Sequence, residues 1–342
     1  MALAPILNPI SEMRPMIRKA SLLAVSLAAL FAAAPALAAS GKLVLYTSQP
    51  NEDAQATVDA FEKANPDVDV EWVRDGTTKV MAKLQAEFAA GSPQPDLLLI
   101  ADSVTMEGLK RDDRLMAYED ADTTGFEDGL HDKDKTYFST KLITTGIVNN
   151  TRAGMTPTSW KDLTKEEAKG QVTMPSPLTS GAALVHLAAI TQNPDLGWDY
   201  VEALAKNGAT AAGGNGGILK AVAGGQSAYG VIVDYLPIRE AAKGSPVNFV
   251  FPTEGVSAVT EPVAILKTSQ NPEAAKAFVD FLLSEEGQKL AASQGYLPAR
   301  DGVAGPAGFP GRDQIKLMSF DAEKALADEE TNKKRFADIF GG

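Results

Sequence analysis

The chain has 342 residues, long enough for two domains of ordinary size, and its 44% hydrophobic and 22% charged content is that of a globular protein. A net charge of −12 opposes nucleic acid or an anionic bilayer as partner. With no cysteine and only His131 and His186, a disulfide scaffold, a thiolate nucleophile, Cys-ligated zinc and a multi-His metal site are excluded.

The first 38 residues read as a secretory signal. Arg14, Arg18 and Lys19 make a basic start, residues 20–34 an apolar run too short to span a bilayer comfortably, and Ala36-Leu37-Ala38 a small-x-small cleavage pattern. Cleavage is expected after Ala38, which places the mature protein in the periplasm. Met16-Ile17-Arg18-Lys19 is itself a standard signal start, and with no cysteine the site carries no lipid anchor. Residues 1–38 hold a net +2, so the mature chain carries −14.

Residues 42–47 then read as a strand. Asn51 is the expected N-cap of a helix with Ala54, Thr57, Val58 and Phe61 on one face, ending near Asn65-Pro66. Residues 68–73 alternate with period two, a second strand. Val80, Met81, Leu84 and Phe88 mark a second helix. Residues 96–100 are a third strand, apolar in the manner of one buried on both faces of a parallel sheet. Residues 141–150 read as a β segment crossing out of this unit. A loop at Pro157-Thr158-Ser159-Trp160 leads to a second α/β set, with a strand over 171–174, a helix from Gly181 and a strand over 230–234. Residues 258–267 form another extended stretch. Asn271-Pro272 caps a helix bearing Ala275, Phe278, Val279 and Leu282, and Ser284 opens one that stops at Gly295. Two α/β lobes joined by β crossings predict a cleft between them, with hinges near 144–146 and 257–261, and such clefts bind small ligands. The expected division is residues 39–143 plus about 258–300 for the first lobe, 144–257 for the second, and 301–342 as a helical segment packed on both.

Taken in order, several runs carry a resemblance. They are Tyr46-Thr47-Ser48-Gln49, Pro95-Asp96-Leu97-Leu98-Leu99, Pro157-Thr158-Ser159-Trp160-Lys161-Asp162-Leu163, Pro175-Ser176-Pro177-Leu178-Thr179-Ser180-Gly181-Ala182, and Asn271-Pro272-Glu273-Ala274-Ala275 with Ser284-Glu285-Glu286-Gly287-Gln288. This series resembles the family 1 extracellular solute-binding proteins of ABC importers, in the branch of ferric-iron, hexose-phosphate and phosphonate binders. Asp75-Gly76-Thr77-Thr78-Lys79-Val80-Met81 and Ala101-Asp102-Ser103-Val104-Thr105-Met106 look most like the 2-aminoethylphosphonate-binding proteins. The resemblance implies the periplasmic binding protein type II fold: two doubly wound α/β lobes with crossing β-strand hinges, open when empty and closing on the ligand. It also implies a membrane permease as partner, a monomer, no cofactor and no catalysis.

Candidate ligand contacts follow from the strand ends and helix starts, where open α/β sheets bind. Ser180, Gly181 and Ala182 open a helix whose free N–H groups suit an oxyanion, although a plain Ser cap reads equally well from the residues alone. Ser48 and Gln49 follow the first strand, Thr78 begins the helix after the second, and Asn215 lies in a glycine run that otherwise just turns the chain. Asp102 and Ser103 follow the third strand, Asp234 and Tyr235 close the strand over 230–234, and Glu261 sits in the second crossing. Asp102, Asp234 or Glu261 can meet a ligand amine, with Tyr235 alongside, yet each reads as readily as a turn carboxylate. The iron-binding relatives use two adjacent tyrosines, with a histidine and a glutamate. Here the matching positions hold Tyr235-Leu236, Pro50 and Ala101, so iron is the runner-up, beside hexose phosphate. A phosphatase reading rests only on Asp67-Val68-Asp69, inside an alternating strand.

Overall fold

The computed structural model describes residues 39–341 except Asp128, Ala212 and Phe320; the expected signal and its cleavage point lie outside the described residues. In chain order the first elements are β1 (Gly41–Thr47), α1 (Asn51–Ala64), β2 (Val68–Arg74), α2 (Thr77–Ala89), β3 (Leu97–Leu99), α3 (Ser103–Arg111) and β4 (Phe138–Ser139). The long strand β5 (Lys141–Asn150) follows. Then come β6 (Val172–Met174), α4 (Gly181–Gln192), α5 (Gly197–Lys206), β7 (Thr210–Ala211), α6 (Asn215–Ala223), β8 (Tyr229–Val233), α7 (Tyr235–Ala242), β9 (Val247–Val250) and β10 (Ser257–Val259). The chain ends through β11 (Pro262–Ile265), α8 (Pro272–Leu283), α9 (Glu285–Ser293), β12 (Leu297–Pro298) and α10 (Ala322–Phe340).

The first sheet has the order β2-β1-β3-β11-β4. β1 is parallel to β2 and β3, while β11 runs antiparallel to β3 and β4. The apolar run of β3 therefore reports burial on both faces, not an all-parallel sheet. Successive residues alternate between faces. Leu43, Leu45, Leu97 and Leu99 pack with Phe61 of α1 and Phe278 of α8, and Tyr46 and Leu98 pack with Val80 and Leu84 of α2 and Met106 of α3. The second sheet runs β10-β5-β8-β6-β7, with β9 and β12 also paired to β5. Ile147 and Val231 face Leu187, Tyr200 and Leu204, whereas Val148 and Ile232 face Val185, Ile218 and Val222. Two α/β sheets, each covered by helices, with β5 and the β10–β11 passage running between them, make the type II periplasmic binding fold that the resemblance implied.

Several boundaries move by a residue for local reasons. Pro50 occupies the N-cap position of α1 and Asn51 is its first helical residue, whereas Asn271 does cap α8, its side chain accepting from Ala274 N–H with Pro272 next. The stretch at Pro157-Thr158-Ser159-Trp160 closes into a 3₁₀ turn over Trp160–Thr164, with the Trp160 indole buried and donating to Gly255 O at 2.8 Å. The glycine run around Asn215 opens α6 instead of making a free turn. Gly146, mid-strand in β5, is required: a β-carbon there would sit 2.5 Å from Phe249 and 2.6 Å from the Val250 carbonyl.

Asp96 ties the first sheet together. Its buried carboxylate accepts from Val44 N–H at 2.8 Å, Ser269 Oγ at 2.7 Å, Gln270 N–H at 2.7 Å and Asn271 N–H at 3.1 Å. It thus joins β1 to the turn that launches α8. Asp96→Ala leaves these donors without an acceptor and should cost at least about 3 kcal/mol, read by urea unfolding; a loss under about 1 kcal/mol would show that water satisfies them.

Candidate functional site

Between the two sheets lies a cleft of about 660 Å³, within the usual range for small-molecule sites. One wall carries Ser48, Arg74 to Lys79 and Ala101; the other carries Thr179 to Ala182, Gly213 to Gly217, Val233, Tyr235 and Leu236. The starts of α2, α4, α6 and α7 all reach it. Initial N–H groups of a helix have no partner within it. Those of Thr77, Thr78, Gly181 and Ala182 have no acceptor among the described residues. Ser180 Oγ lies 3.4 Å from Ala183 N–H, a long cap contact. Ser48 Oγ accepts from Ala101 N–H at 2.9 Å, which leaves its own proton to donate. Arg74 donates to Gln49 O at 2.7 Å, fixing the guanidinium at the rim. Helix starts, unshared N–H donors, two hydroxyls and two cations are groups that can hold an anion.

Of the residues nominated from sequence, Ser48, Thr78, Ser180, Gly181, Ala182, Asn215, Tyr235 and Glu261 line the cleft. Gln49, Asp102, Ser103 and Asp234 do not. Gln49 is buried behind the wall with its amide 3.3 Å from Glu261. Asp102 does not point into the cleft as expected: it caps α3, accepting from Thr105 N–H and Oγ1. Ser103 is the first residue of that helix. Asp234 and Tyr235 do not end the strand but begin α7. Asp234 accepts from Thr144 N–H at 2.9 Å, Thr144 Oγ1 at 2.7 Å and Tyr235 N–H at 2.7 Å. Asn215 faces the cleft, yet its Oδ1 already accepts from Val233 N–H. Glu261 is paired with Lys141 at 2.6 Å. All three carboxylates nominated for an amine thus have partners of their own.

Sequence reasoning passed over Arg74, Asp75 and Thr179. Arg74 ends β2, and the rule that selected Ser48, ligand contacts at strand ends, applied equally to it. Lys79 lies at the mouth, 78% exposed and 3.6 Å from Asp75. A smaller cavity of about 30 Å³ shares Asn215 with the cleft and is walled mainly by apolar side chains. His186 there packs against Trp160, the rings tilted by 46°, and bonds Ser257 Oγ at 2.9 Å; burial pushes its pKa down to about 3, so it is neutral.

The family model for "Bacterial extracellular solute-binding protein" matches residues 56–313. The chain belongs to the bacterial extracellular solute-binding proteins. Proteins of this family deliver small molecules to ABC permeases and work outside the cytoplasm. An uncharacterized protein of Haemophilus influenzae is 30% identical over 312 residues, 85% of this chain and 88% of that one. A putrescine/cadaverine-binding protein of Pseudomonas aeruginosa is 27% identical over 283 residues, 75% of this chain and 78% of that one. Among solved structures, the fructose-6-phosphate-bound periplasmic binding protein AfuA of Actinobacillus pleuropneumoniae has a TM-score of 0.79 at 24% identity, covering 88% of this chain and 98% of its own. Iron-bound HitA of Pseudomonas aeruginosa has 0.76 at 22%, covering 86% and 99%.

In this solute-binding protein the walls approach closely at Gly181. A β-carbon there would lie 2.7 Å from Asp102 Cβ and 2.8 Å from the Ala101 carbonyl. Those are backbone-fixed atoms of the opposite wall, so Gly181→Ala can be seated only by parting the walls. The variant should retain its unfolding temperature within a few degrees, show a larger radius of gyration by X-ray scattering with ligand, and bind at least tenfold more weakly; unaltered affinity would mean that the walls tolerate the gap.

Burial also pushes the Asp234 carboxyl up to about 7, against the hydrogen bonds from Thr144, and that of Asp102 to about 6. The folded state then holds these protons more tightly than the unfolded chain. Their contribution is fully present below about pH 4 and is lost as pH rises toward 7. Chemical unfolding between pH 4 and 7 should therefore show a shallower pH slope in Asp234→Asn than in the wild type; identical slopes would mean Asp234 stays ionised throughout.

Proposed function

We propose that this protein captures a small organic phosphoryl anion, a phosphonate or phosphate monoester, and hands it to a membrane permease without transforming it. The observation that carries the reading is the convergence of helix starts on one cleft, with Thr77, Thr78, Gly181 and Ala182 N–H groups unshared and Arg74 and Lys79 at the rim. The phosphoryl oxygens meet Ser180 to Ala182 from one wall and Ser48 and Thr78 from the other. Bridging contacts of this kind exist only with the walls together, so ligand favours the closed form. 2-Aminoethylphosphonate, which the sequence nominates, belongs to this class. Its ammonium has Asp75, half exposed at the mouth, as the lining carboxylate without a buried partner. Hexose phosphates belong to it too, and the likeness to fructose-6-phosphate-bound AfuA supports that choice of headgroup.

Iron and polyamines fit less well. Burial raises the Tyr235 phenol well above its ordinary pKa, which opposes a phenolate, and Leu236, Pro50 and Ala101, which also line the cleft, offer no metal-binding side chain. Among the described residues no group of three or more His, Cys, Asp or Glu is arranged to hold a metal. A dication such as putrescine needs two vacant carboxylates, and of the two that line the cleft, Asp75 and Glu261, the second is already paired with Lys141.

A thermal-shift panel of 2-aminoethylphosphonate, ethylphosphonate, fructose-6-phosphate, putrescine and ferric citrate tests this. A phosphoryl compound present at a hundredfold excess over its Kd should add about 2.7 kcal/mol of stability. Stabilisation by putrescine or ferric citrate alone would refute the proposal.

A further inference from the structure

Behind the cleft floor four charged side chains are packed together. Lys141 Nζ lies 2.6 Å from Glu261 Oε2, both side chains 3% exposed, and 3.9 Å from the centre of the Tyr296 ring. Arg239 pairs with Asp53 at 3.2 Å and lies over the rings of Tyr235 and Tyr296, while the Tyr296 hydroxyl donates to Asp53. Two carboxylates thus face two cations. Only Glu261 of the four lines the cleft. Its backbone is in the left-handed region, φ +38°, disfavoured for any residue with a side chain, and its carbonyl is fixed by Thr140 Oγ1 at 2.8 Å. Such conformations persist where the surroundings impose them, and they cluster at ligand clamps. Beside it, Gln49 Oε1 is buried with no hydrogen-bond partner.

A buried ion pair contributes little to stability compared with apolar groups of the same size, but removing one partner leaves an uncompensated charge. Here the partner left behind when Lys141 is removed is a carboxyl that lines the cleft. Resting on the phosphoryl reading above, we infer that Lys141 sets the sign of charge the cleft accepts, by cancelling Glu261 from behind so that the helix starts govern recognition. Lys141 touches no ligand in this account; it is a positioning residue for specificity. Without it, Glu261 is a carboxyl at the cleft floor with only the Gln49 amide beside it, and a solute bearing an ammonium supplies the missing cation.

The test is calorimetric titration of the purified protein with ethylphosphonate and 2-aminoethylphosphonate, which differ by one amino group. In Lys141→Met, close in volume, the affinity ratio of the amino compound to ethylphosphonate should rise at least tenfold over wild type. Adding Glu261→Gln should return the ratio to the wild-type value, which a merely structural role for Lys141 would not do. A ratio that stays within threefold in Lys141→Met overturns the inference alone. Should Lys141→Met not fold, Glu261→Gln decides: it frees a buried cation, so ethylphosphonate affinity should rise severalfold with a steeper loss in salt, and an unchanged or lower affinity overturns the inference. A wild type that binds no phosphoryl solute sinks the phosphoryl reading itself, and this inference with it.

Discussion

Hydrogen bonding along β5 constrains everything else. All ten of its residues are buried, so their backbone groups must find partners in the protein. β8 supplies them along one edge, β9 and β10 along the other, and β12 near the start. The strand leaves the first sheet one residue after β4, and the return passage lies against it: Thr140 and Lys141 N–H groups both donate to Thr260 O. The two crossings are therefore bonded to each other at residues 140–141 and 260–261. Glu261, which lines the cleft, sits at that junction. Thr144, two residues further along β5 than Leu142, is what Asp234 holds, and Asp234 in turn sets the start of α7.

The local field of the cleft opposes the charge of the whole chain. A net −12 would repel an anion at long range, but salt confines that repulsion to about 8 Å at physiological ionic strength. Within the cleft the nearest charges are helix starts and unshared N–H groups, which act over the first turn. Lys79 adds little by comparison. It is 78% exposed and its Asp75 partner half exposed, a pair of the kind worth about 0 to 1 kcal/mol. Arg74 is better placed, because its guanidinium is anchored to the Gln49 carbonyl before any ligand arrives.

The strands and helices were legible because their signals are local. Period-two alternation in β2, the apolar face of α1, the Asn271-Pro272 start of α8 and the Ser180 start of α4 all depend on neighbours within a few residues. So were the polar groups of the cleft that act through backbone position, Ser48, Thr78 and Ser180 to Ala182, since strand ends and helix starts place them. The direction of β11 was not legible, because a buried apolar strand looks the same parallel or antiparallel. Nor was Lys141, which reads as an ordinary strand-start lysine until Glu261, 120 positions on, is brought against it.

The carboxylates show where sequence reading stops. Asp102, Asp234 and Glu261 sit at the right ends of the right elements, and sequence offers no basis for choosing among them. What separates their roles is the donors that each one meets. Asp102 finds Thr105 three residues away, Asp234 finds Thr144 ninety residues back, and Glu261 finds a lysine from the other crossing. A buried carboxylate must be paired or neutralised, so a partner was required in each case. For Asp102 and Asp234 the partners are neutral hydroxyl and amide groups, and burial raises both pKa values toward neutrality. For Glu261 the partner is a full cation, and it is the one of the three whose side of the pair opens to the cleft. The identity of a residue 120 positions away thus determines whether that carboxylate is presented to a solute as a charge or is hidden from it.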